Sequence, residues 1–145
     1  MGSYSYYEYE DIEIKDQKGL IAYIEQWNKI FVEHSYLTRN MIENIQSEDK
    51  KCIVLFEAWN SYKIIQYWYE PMVCFLRGIA KFIEGEVVFI HETNEERAKI
   101  IFNEGTLTVE LGRMEYKTFD SDGLIGNDHD QDHEKYIAFL TPYLI

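Results

Sequence analysis

Residues 86–112, EVVFIHETNEERAKIIFNEGTLTVELG, decide the fold. Two turn signals, Thr93-Asn94-Glu95 and Asn103-Glu104-Gly105, divide this stretch into three short segments that are rich in β-branched and aromatic residues. In the last segment the apolar residues from Leu107 to Leu111 alternate with polar ones, as in a strand with one buried face. The stretch therefore predicts three antiparallel strands that form a meander, at 86–92, 97–102 and 106–112.

Helical patterns lie on both sides of this meander. Residues 18–33 place apolar side chains at helical spacing, and a shorter pattern of the same kind follows at 37–45. Residues 71–84 begin with a proline and end before Gly85, and both residue types are typical of those helix ends. A last amphipathic segment, 134–140, predicts a short helix that closes over the sheet.

The N-terminal residues 4–14 alternate like an edge strand, but the alternation changes phase. Tyr7 and Tyr9 have one parity, and the two isoleucines that follow them have the other. A β-bulge near Glu10-Asp11 would bring all four side chains to one side of the strand.

The order of these elements predicts the fold class. Cys52–Phe56 is an uninterrupted apolar run, which favours a central strand covered on both faces. Strand, helix, strand, helix and a three-stranded meander predict an α+β two-layer sandwich, a ferredoxin-like variant with helices on one face of a mostly antiparallel sheet. At 145 residues the chain is expected to be a single domain, 1–145, with an acidic loop at 118–133.

Three stretches carry a family resemblance. They are Asp11-Ile12-Glu13-Ile14 leading into a helix, Phe56-Glu57-Ala58-Trp59-Asn60-Ser61 ahead of a second helix, and the hairpins from Glu86 to Leu111. In these the chain resembles the ferredoxin-like proteins of the YubB and Api92 type, which are found on plasmids and in phages. The resemblance implies a mobile-element setting and a small accessory protein, and it carries over no catalytic residues.

The charge balance restricts the class of partner. The chain has 26 acidic and 14 basic residues and a net charge of −12. Such a surface repels phosphate backbones and attracts basic proteins, so direct nucleic-acid binding is disfavoured. The N-terminus lacks the features of a signal peptide and no segment has the length of a membrane span, so a cytoplasmic protein without a membrane partner is expected. Cys52 and Cys74 lie in apolar runs, which is typical of buried reduced thiols.

Tyrosine is the most common aromatic residue, with twelve copies, and it is concentrated near the N-terminus. Tyrosine beside carboxylate is typical of protein-binding surfaces, because the ring supplies contact area and the acids attract a basic partner. The alternative is a cross-strand aromatic ladder that only stabilises a sheet edge. The predicted partner-binding residues in this strand are Tyr4, Tyr6, Tyr7, Glu8, Tyr9, Glu10, Asp11 and Glu13.

The loop from Asp120 to Glu134 is the main candidate for a metal site. Its aspartates match the first positions of a calcium loop, but His133 and Phe139 stand where an EF-hand needs glycine and glutamate. A weaker hypothesis uses two histidines four residues apart with neighbouring carboxylates as ligands for zinc or another divalent ion. The simpler interpretation is a solvated acidic loop that takes up a divalent cation weakly. The candidate metal residues are Asp128, His129, Asp130, Asp132 and His133.

The remaining polar residues of apolar regions favour structural roles. Glu57 is the acid expected to be partly buried, as a cap or a partner of Lys63, and the lone histidines His34 and His91 are expected to be structural. Neither a nucleophile motif nor a phosphate-binding loop occurs, so no catalytic residue and no cofactor beyond a weakly bound divalent cation is predicted.

The leading hypothesis is a small non-enzymatic protein that occludes a basic surface of another protein. An anti-defence inhibitor or an immunity-type protein fits this description, and a nucleic-acid-handling enzyme fits the partner. A metal-dependent hydrolase or small-ligand binder using the 120–134 loop is the alternative, and a nucleotide-sequestering homo-oligomer is a third. The acidic loop adds five residues to the predicted partner-binding set: Asp120, Asp122, Asp128, Asp130 and Asp132.

Overall fold

The fold was analysed in a computed structural model of the chain. The structure describes residues 5–47, 55–59, 69–91, 96–112 and 132–144, and it describes 116–120 by the backbone. Five strands form one antiparallel sheet in consecutive order, β1 Ser5–Ile14, β2 Ile83–His91, β3 Arg97–Asn103, β4 Thr106–Gly112 and β5 Tyr116–Asp120. The helices of the described residues are α1 Gln17–Ile30, α2 Met41–Gln46, α3 Glu70–Ile79 and α4 His133–Leu140, with 3-10 segments at Val32–Thr38, Glu57–Trp59 and Thr141–Tyr143.

The described helices pack on one face of the sheet, which we call the inner face. The strands contribute Val87, Phe89, Ile100 and Phe102 to a continuous buried cluster. The helical layer contributes mainly aromatic rings to the same cluster: Tyr23, Trp27, Phe31, Phe75 and Tyr136. The α+β two-layer class predicted from the sequence is thus confirmed, and the described strands follow a plain meander order.

The meander predicted from residues 86–112 is present. β3 and β4 pair antiparallel from Arg97↔Gly112 to Asn103↔Thr106, as the alternation indicates. Glu104 and Gly105 connect them with positive φ angles of 51° and 78°, which is the conformation of a two-residue hairpin turn. The apolar face predicted for Leu107 and its neighbours is the inner face.

The helix predicted at 71–84 is shorter than its apolar pattern. α3 ends at Ile79, and Ile83 already begins β2. The intervening turn is fixed by the carbonyl of Phe82, which accepts hydrogen bonds from the backbone N–H groups of Lys15 and Asp16 at 2.8 and 3.2 Å. The prediction of Gly85 as a helix cap was wrong, since this glycine lies inside β2 with φ of 127°.

Three other boundaries also differ from the sequence predictions. The helix predicted at 37–45 begins only at Met41, because Asn40 before it has the left-handed φ of 65°. β5 lies partly inside the predicted loop 118–133. Of the predicted strand Cys52–Phe56, the described residues Leu55 and Phe56 form a bend.

Helices α1 and α4 agree more closely with their patterns. α1 covers most of the predicted 18–33, and the carboxylate of Asp16 caps it by accepting from the Gly19 backbone N–H at 2.9 Å. α4 begins one residue before the predicted 134–140 and buries Tyr136 and Leu140. Within the described residues, no helix combines the length and the hydropathy that a membrane span requires.

Candidate functional site

An irregularity in β1 determines which of its side chains face away from the helices. The antiparallel register with β2 shifts between Tyr7 and Tyr9, so that Tyr7 lies opposite Phe89 and Tyr9 lies opposite Val88. Glu8 is therefore the additional residue of a β-bulge. A bulge was predicted, but it occurs two residues earlier than expected and turns Tyr9 away from the inner face.

Two of the predicted partner-binding residues belong to the inner face. The ring of Tyr7 packs edge-on against Phe89 with centroids 6.2 Å apart. Burial, with the nearby carboxylates of Glu10 and Glu57, raises the pKa of the Tyr7 phenol. The ring of Tyr7 therefore lies on the inner face, and its predicted role in partner binding stays a prediction.

Glu10 also has an inner-face role. Its carboxylate accepts hydrogen bonds of 3.0 to 3.1 Å from the backbone N–H groups of Leu55 and Phe56. These bonds attach a distant segment of the chain to the first strand. Burial raises the pKa of the Glu10 carboxyl, and the same hydrogen bonds lower it in part. Glu10 is a structural acid and is unsuited to partner binding.

The opposite face of the sheet, which we call the outer face, carries the remaining tyrosines of β1. Tyr6 is 44% exposed and Tyr9 is 41% exposed. The Tyr9 hydroxyl donates to the carboxylate of Glu86 at 3.1 Å. Val88 is buried beneath this layer, between its register neighbours Tyr9 and Lys99. The outer face consequently combines exposed rings with a small apolar base.

Acidic residues outnumber basic ones on the outer face. Arg97 pairs with Glu8 at 3.1 Å, and Lys99 lies 3.9 Å from Glu86. Strands β1 to β4 place these two cations on the outer face. Strand parity and register place six carboxylates on the same face: Glu8, Asp11, Glu13, Glu84, Glu86 and Glu110. Within the described part of the chain, no ion pair involves Glu110 or the two exposed acids Asp11 and Glu13.

A shallow depression of about 260 Å³ lies where β1, β2 and β3 adjoin on the outer face. Its lining includes the acids Asp11, Glu84 and Glu86, together with Ile101 and Asn103. Lys15 reaches one of these carboxylates, that of Glu84, at 3.6 Å. We call this depression, with its three carboxylates, the acidic depression.

The depression depends on close contact between two strands. Gly85 pairs with Ile12, and a Cβ atom at residue 85 would lie 1.9 Å from the backbone oxygen of Asp11. Only glycine permits this approach with a positive φ angle. Gly85 therefore holds Asp11 beside Glu84 and Glu86.

Most of the predicted acidic loop lies outside the described residues, including Asp122, Asp128, His129 and Asp130, as does Tyr4. The structure describes Asp120 only by the backbone, at the end of β5. Asp132 and His133, in contrast, begin α4 and lie on the helical side of the molecule. The described residues thus do not bring the two predicted partner-binding groups onto one surface.

The sequence interpretation missed the most deeply buried acid of the described residues. Glu57 was expected to be partly buried but is exposed, whereas Glu70 at the start of α3 is 0% exposed. The Glu70 carboxylate contacts Nδ1 of His133. A usable signal was the position of Glu70 directly before Pro71 and a wholly apolar helical turn. His34 and His91 are both buried, at 8% and 5% exposure.

Comparisons with known proteins add no family to these observations. No protein-family model, no curated protein and no solved structure matches this chain significantly. The resemblance to the YubB and Api92 type stays a prediction from the sequence.

Proposed function

We propose that this protein is a small acidic binding module whose outer sheet face docks on a basic surface of another protein. The acidic depression carries the proposal, because three acidic residues line an exposed concavity and one of them, Asp11, has no ion-pair partner among the described residues, so a cationic side chain of a partner can pair with it. Charge-assisted hydrogen bonds between carboxylates and Arg or Lys are among the stronger polar contacts that proteins make.

The charges around the depression support the same partner chemistry. Arg97 and Lys99 are each within 4 Å of a carboxylate, so they offset part of the acidic charge of the outer face. Asp11 and Glu13 are exposed and lie on the same parity of β1. Together with the net charge of −12, they favour fast association with a positively charged surface.

The two outward tyrosines supply contact area next to these charges. Tyr6 and Tyr9 lie on the same face as Asp11 and project from an edge strand. Tyrosine has few rotatable bonds for its size, so it loses little entropy when it is buried at an interface. A rim of carboxylates around such rings is the arrangement expected of a protein-binding surface.

A nucleic-acid-handling enzyme is the class of partner that this surface fits best. Such enzymes present basic patches to phosphate backbones, and an acidic protein can occupy those patches in place of the nucleic acid. The function that follows is inhibition by occlusion, as an anti-defence inhibitor or an immunity-type protein would exert it. No catalytic step is required of this chain.

The proposal is tested by binding to a panel of purified basic nucleases and defence effectors at low and high salt. We expect a complex at low salt whose association rate falls as salt rises. Asp11→Lys should slow association by about tenfold through the reversed charge at the acidic depression. The matched control is Glu25→Lys, which makes the same change in net charge at an exposed position of α1.

Two results would contradict the proposal. If Asp11→Lys and Glu25→Lys slow association equally, net charge is responsible and the outer face has no special role. If no panel member binds the wild-type protein at low salt, the proposed class of partner is wrong.

A further inference from the structure

Three pairs of neighbouring residues meet on the helical side of the molecule, away from the outer sheet face. Glu33-His34 comes from the 3-10 segment Val32–Thr38, Tyr69-Glu70 from the start of α3, and Asp132-His133 from the start of α4. The Glu70 carboxylate contacts His133, and the rings of His34 and Tyr69 lie 5.9 Å apart. We call this group the helical-side polar cluster.

Three members of the cluster place possible metal ligands close to one another. One ligand atom each from Glu33, His34 and Asp132 lies within 4.8 Å of the other two. The pair Glu33 Oε1 and His34 Nε2 is 4.0 Å apart. With metal–ligand bonds of about 2.1 Å, two ligands in a tetrahedral site are about 3.4 Å apart. A small inward rotation of the exposed Glu33 side chain and of Asp132 would complete the three bonds.

The histidine of the cluster is held in place before any ion binds. The indole N–H of Trp27 donates to the His34 carbonyl at 3.3 Å, whereas the Tyr136 hydroxyl, 3.3 Å from His34 Nε2, would give up this contact when that nitrogen binds the ion. The rings of Tyr36 and Tyr69 pack edge-on against the imidazole. A ligand that is fixed in this way loses little conformational freedom when it coordinates a metal.

A second observation is that two buried polar atoms next to the proposed ligand atoms are unsatisfied. Among the described residues, the buried atoms His34 Nδ1 and Glu70 Oε2 have no hydrogen-bond partner. Buried polar atoms without partners are rare in native proteins and often indicate an ion or a water that completes the site. Glu70 is also next to the proposed ligands through its contact with His133, the neighbour of Asp132.

We propose that Glu33, His34 and Asp132 bind one divalent transition-metal ion of the zinc type. An imidazole nitrogen with two carboxylates suits Zn²⁺, whereas Ca²⁺ and Mg²⁺ prefer oxygen ligands throughout. Three protein ligands leave a fourth position open to water. The ion would tie the N-terminus of α4 to the 3-10 segment and offset two of the acidic charges.

The experiment is Zn²⁺ titration of the untagged full chain near neutral pH by calorimetry, with the melting temperature followed in parallel. We expect one bound ion per chain and a melting temperature that rises with zinc concentration. Glu33→Gln and Asp132→Asn should each weaken binding by tenfold to a hundredfold or more, which is about the loss that even an outer-shell partner causes. Glu25→Gln removes an equal charge from an exposed position of α1 and should leave binding unchanged.

A second measurement does not depend on variants. The imidazole resonances of His34 should shift on addition of one equivalent of Zn²⁺, while those of the buried His91 should not. Unchanged zinc binding in both ligand variants would place the ion elsewhere and overturn the proposal. Absence of zinc binding, or tighter binding of Ca²⁺ than of Zn²⁺, would overturn it as well.

Discussion

The two faces of β1 contain the same residue types and use them differently. On the inner face, Tyr7 packs against Phe89 and the Glu10 carboxylate accepts backbone hydrogen bonds from residues 55 and 56. On the outer face, Tyr9 and Asp11 are exposed, and Asp11 lines the acidic depression. The bulge at Glu8 produces this division, because it reverses the parity of every residue after it.

Composition alone therefore does not identify a binding surface in this strand. A tyrosine next to a glutamate has one role when helices cover it and another when it meets solvent. Glu10 is buried by a segment 45 residues further along the chain, which no local pattern in 4–14 could indicate.

The largest effect is expected at Gly85, where β1 and β2 are in closest contact. In Gly85→Ala the new Cβ would lie 1.9 Å from the Asp11 backbone oxygen, at a φ of 127° that L-residues rarely adopt. We expect the free energy of unfolding to fall by about 3 kcal/mol or more, measured by urea denaturation.

Gly105→Ala is the matched control for that substitution. Gly105 has a φ of 78°, but a Cβ atom added to it in the turn would have no neighbour within 4 Å. Its alanine variant should lose only about 1 kcal/mol from the unfavourable backbone conformation. Equal losses in the two variants would show that the contact between β1 and β2 is looser than described.

Much of the sheet could be predicted from the sequence, because its strands are consecutive and joined by short turns. The alternation at 106–112 and the Asn103-Glu104-Gly105 turn are local signals, and the structure agrees with them. The end of α3 could not be predicted in this way. The apolar spacing continues past Ile79, but the helix ends there, and the Phe82 carbonyl instead accepts hydrogen bonds from residues near the start of α1.

The second prediction compares two acids of β1. In Glu10→Ala the backbone N–H groups of Leu55 and Phe56 lose their acceptor, and we expect a destabilisation of about 2 kcal/mol. Glu13→Ala removes an exposed carboxylate from the outer face, and its effect should stay within about 0.5 kcal/mol. Thermal denaturation of both variants measures the difference, and a larger loss for Glu13→Ala would reverse the assignment of the two faces.

The candidate sites were predictable only in part. The outward Tyr6, Tyr9, Asp11 and Glu13 followed from alternation, once the position of the bulge was known. The helical-side polar cluster did not, because Glu33, Glu70 and Asp132 are far apart in sequence, and of the three only Glu70 has a local signal of burial. Their proximity depends on how α3 and α4 pack, for which the sequence offers no local pattern.

The smallest expected effect is the contribution of Glu10 to the pH dependence of the free energy of unfolding. Burial raises its pKa in the folded protein above the value of about 4.3 expected in the unfolded chain. The folded state therefore binds this proton more tightly, so the stabilising contribution is complete below the unfolded pKa and is lost as the pH rises through the folded pKa. Carbon-13 NMR of the Glu10 side-chain carboxyl should show a midpoint above the value expected in the unfolded chain.

Measurements of the free energy of unfolding should show the same direction of pH dependence. The Glu10→Gln variant has no titratable group at residue 10. We therefore compare the free energy of unfolding of the wild type with that of the variant. The difference, wild type minus variant, should decrease as the pH rises from about 4.3 through the raised pKa. A difference that increases with pH would mean that the hydrogen bonds from Leu55 and Phe56 outweigh burial. In that case Glu10 would resemble an N-cap carboxylate, and the inner face of β1 would be more polar than its packing indicates.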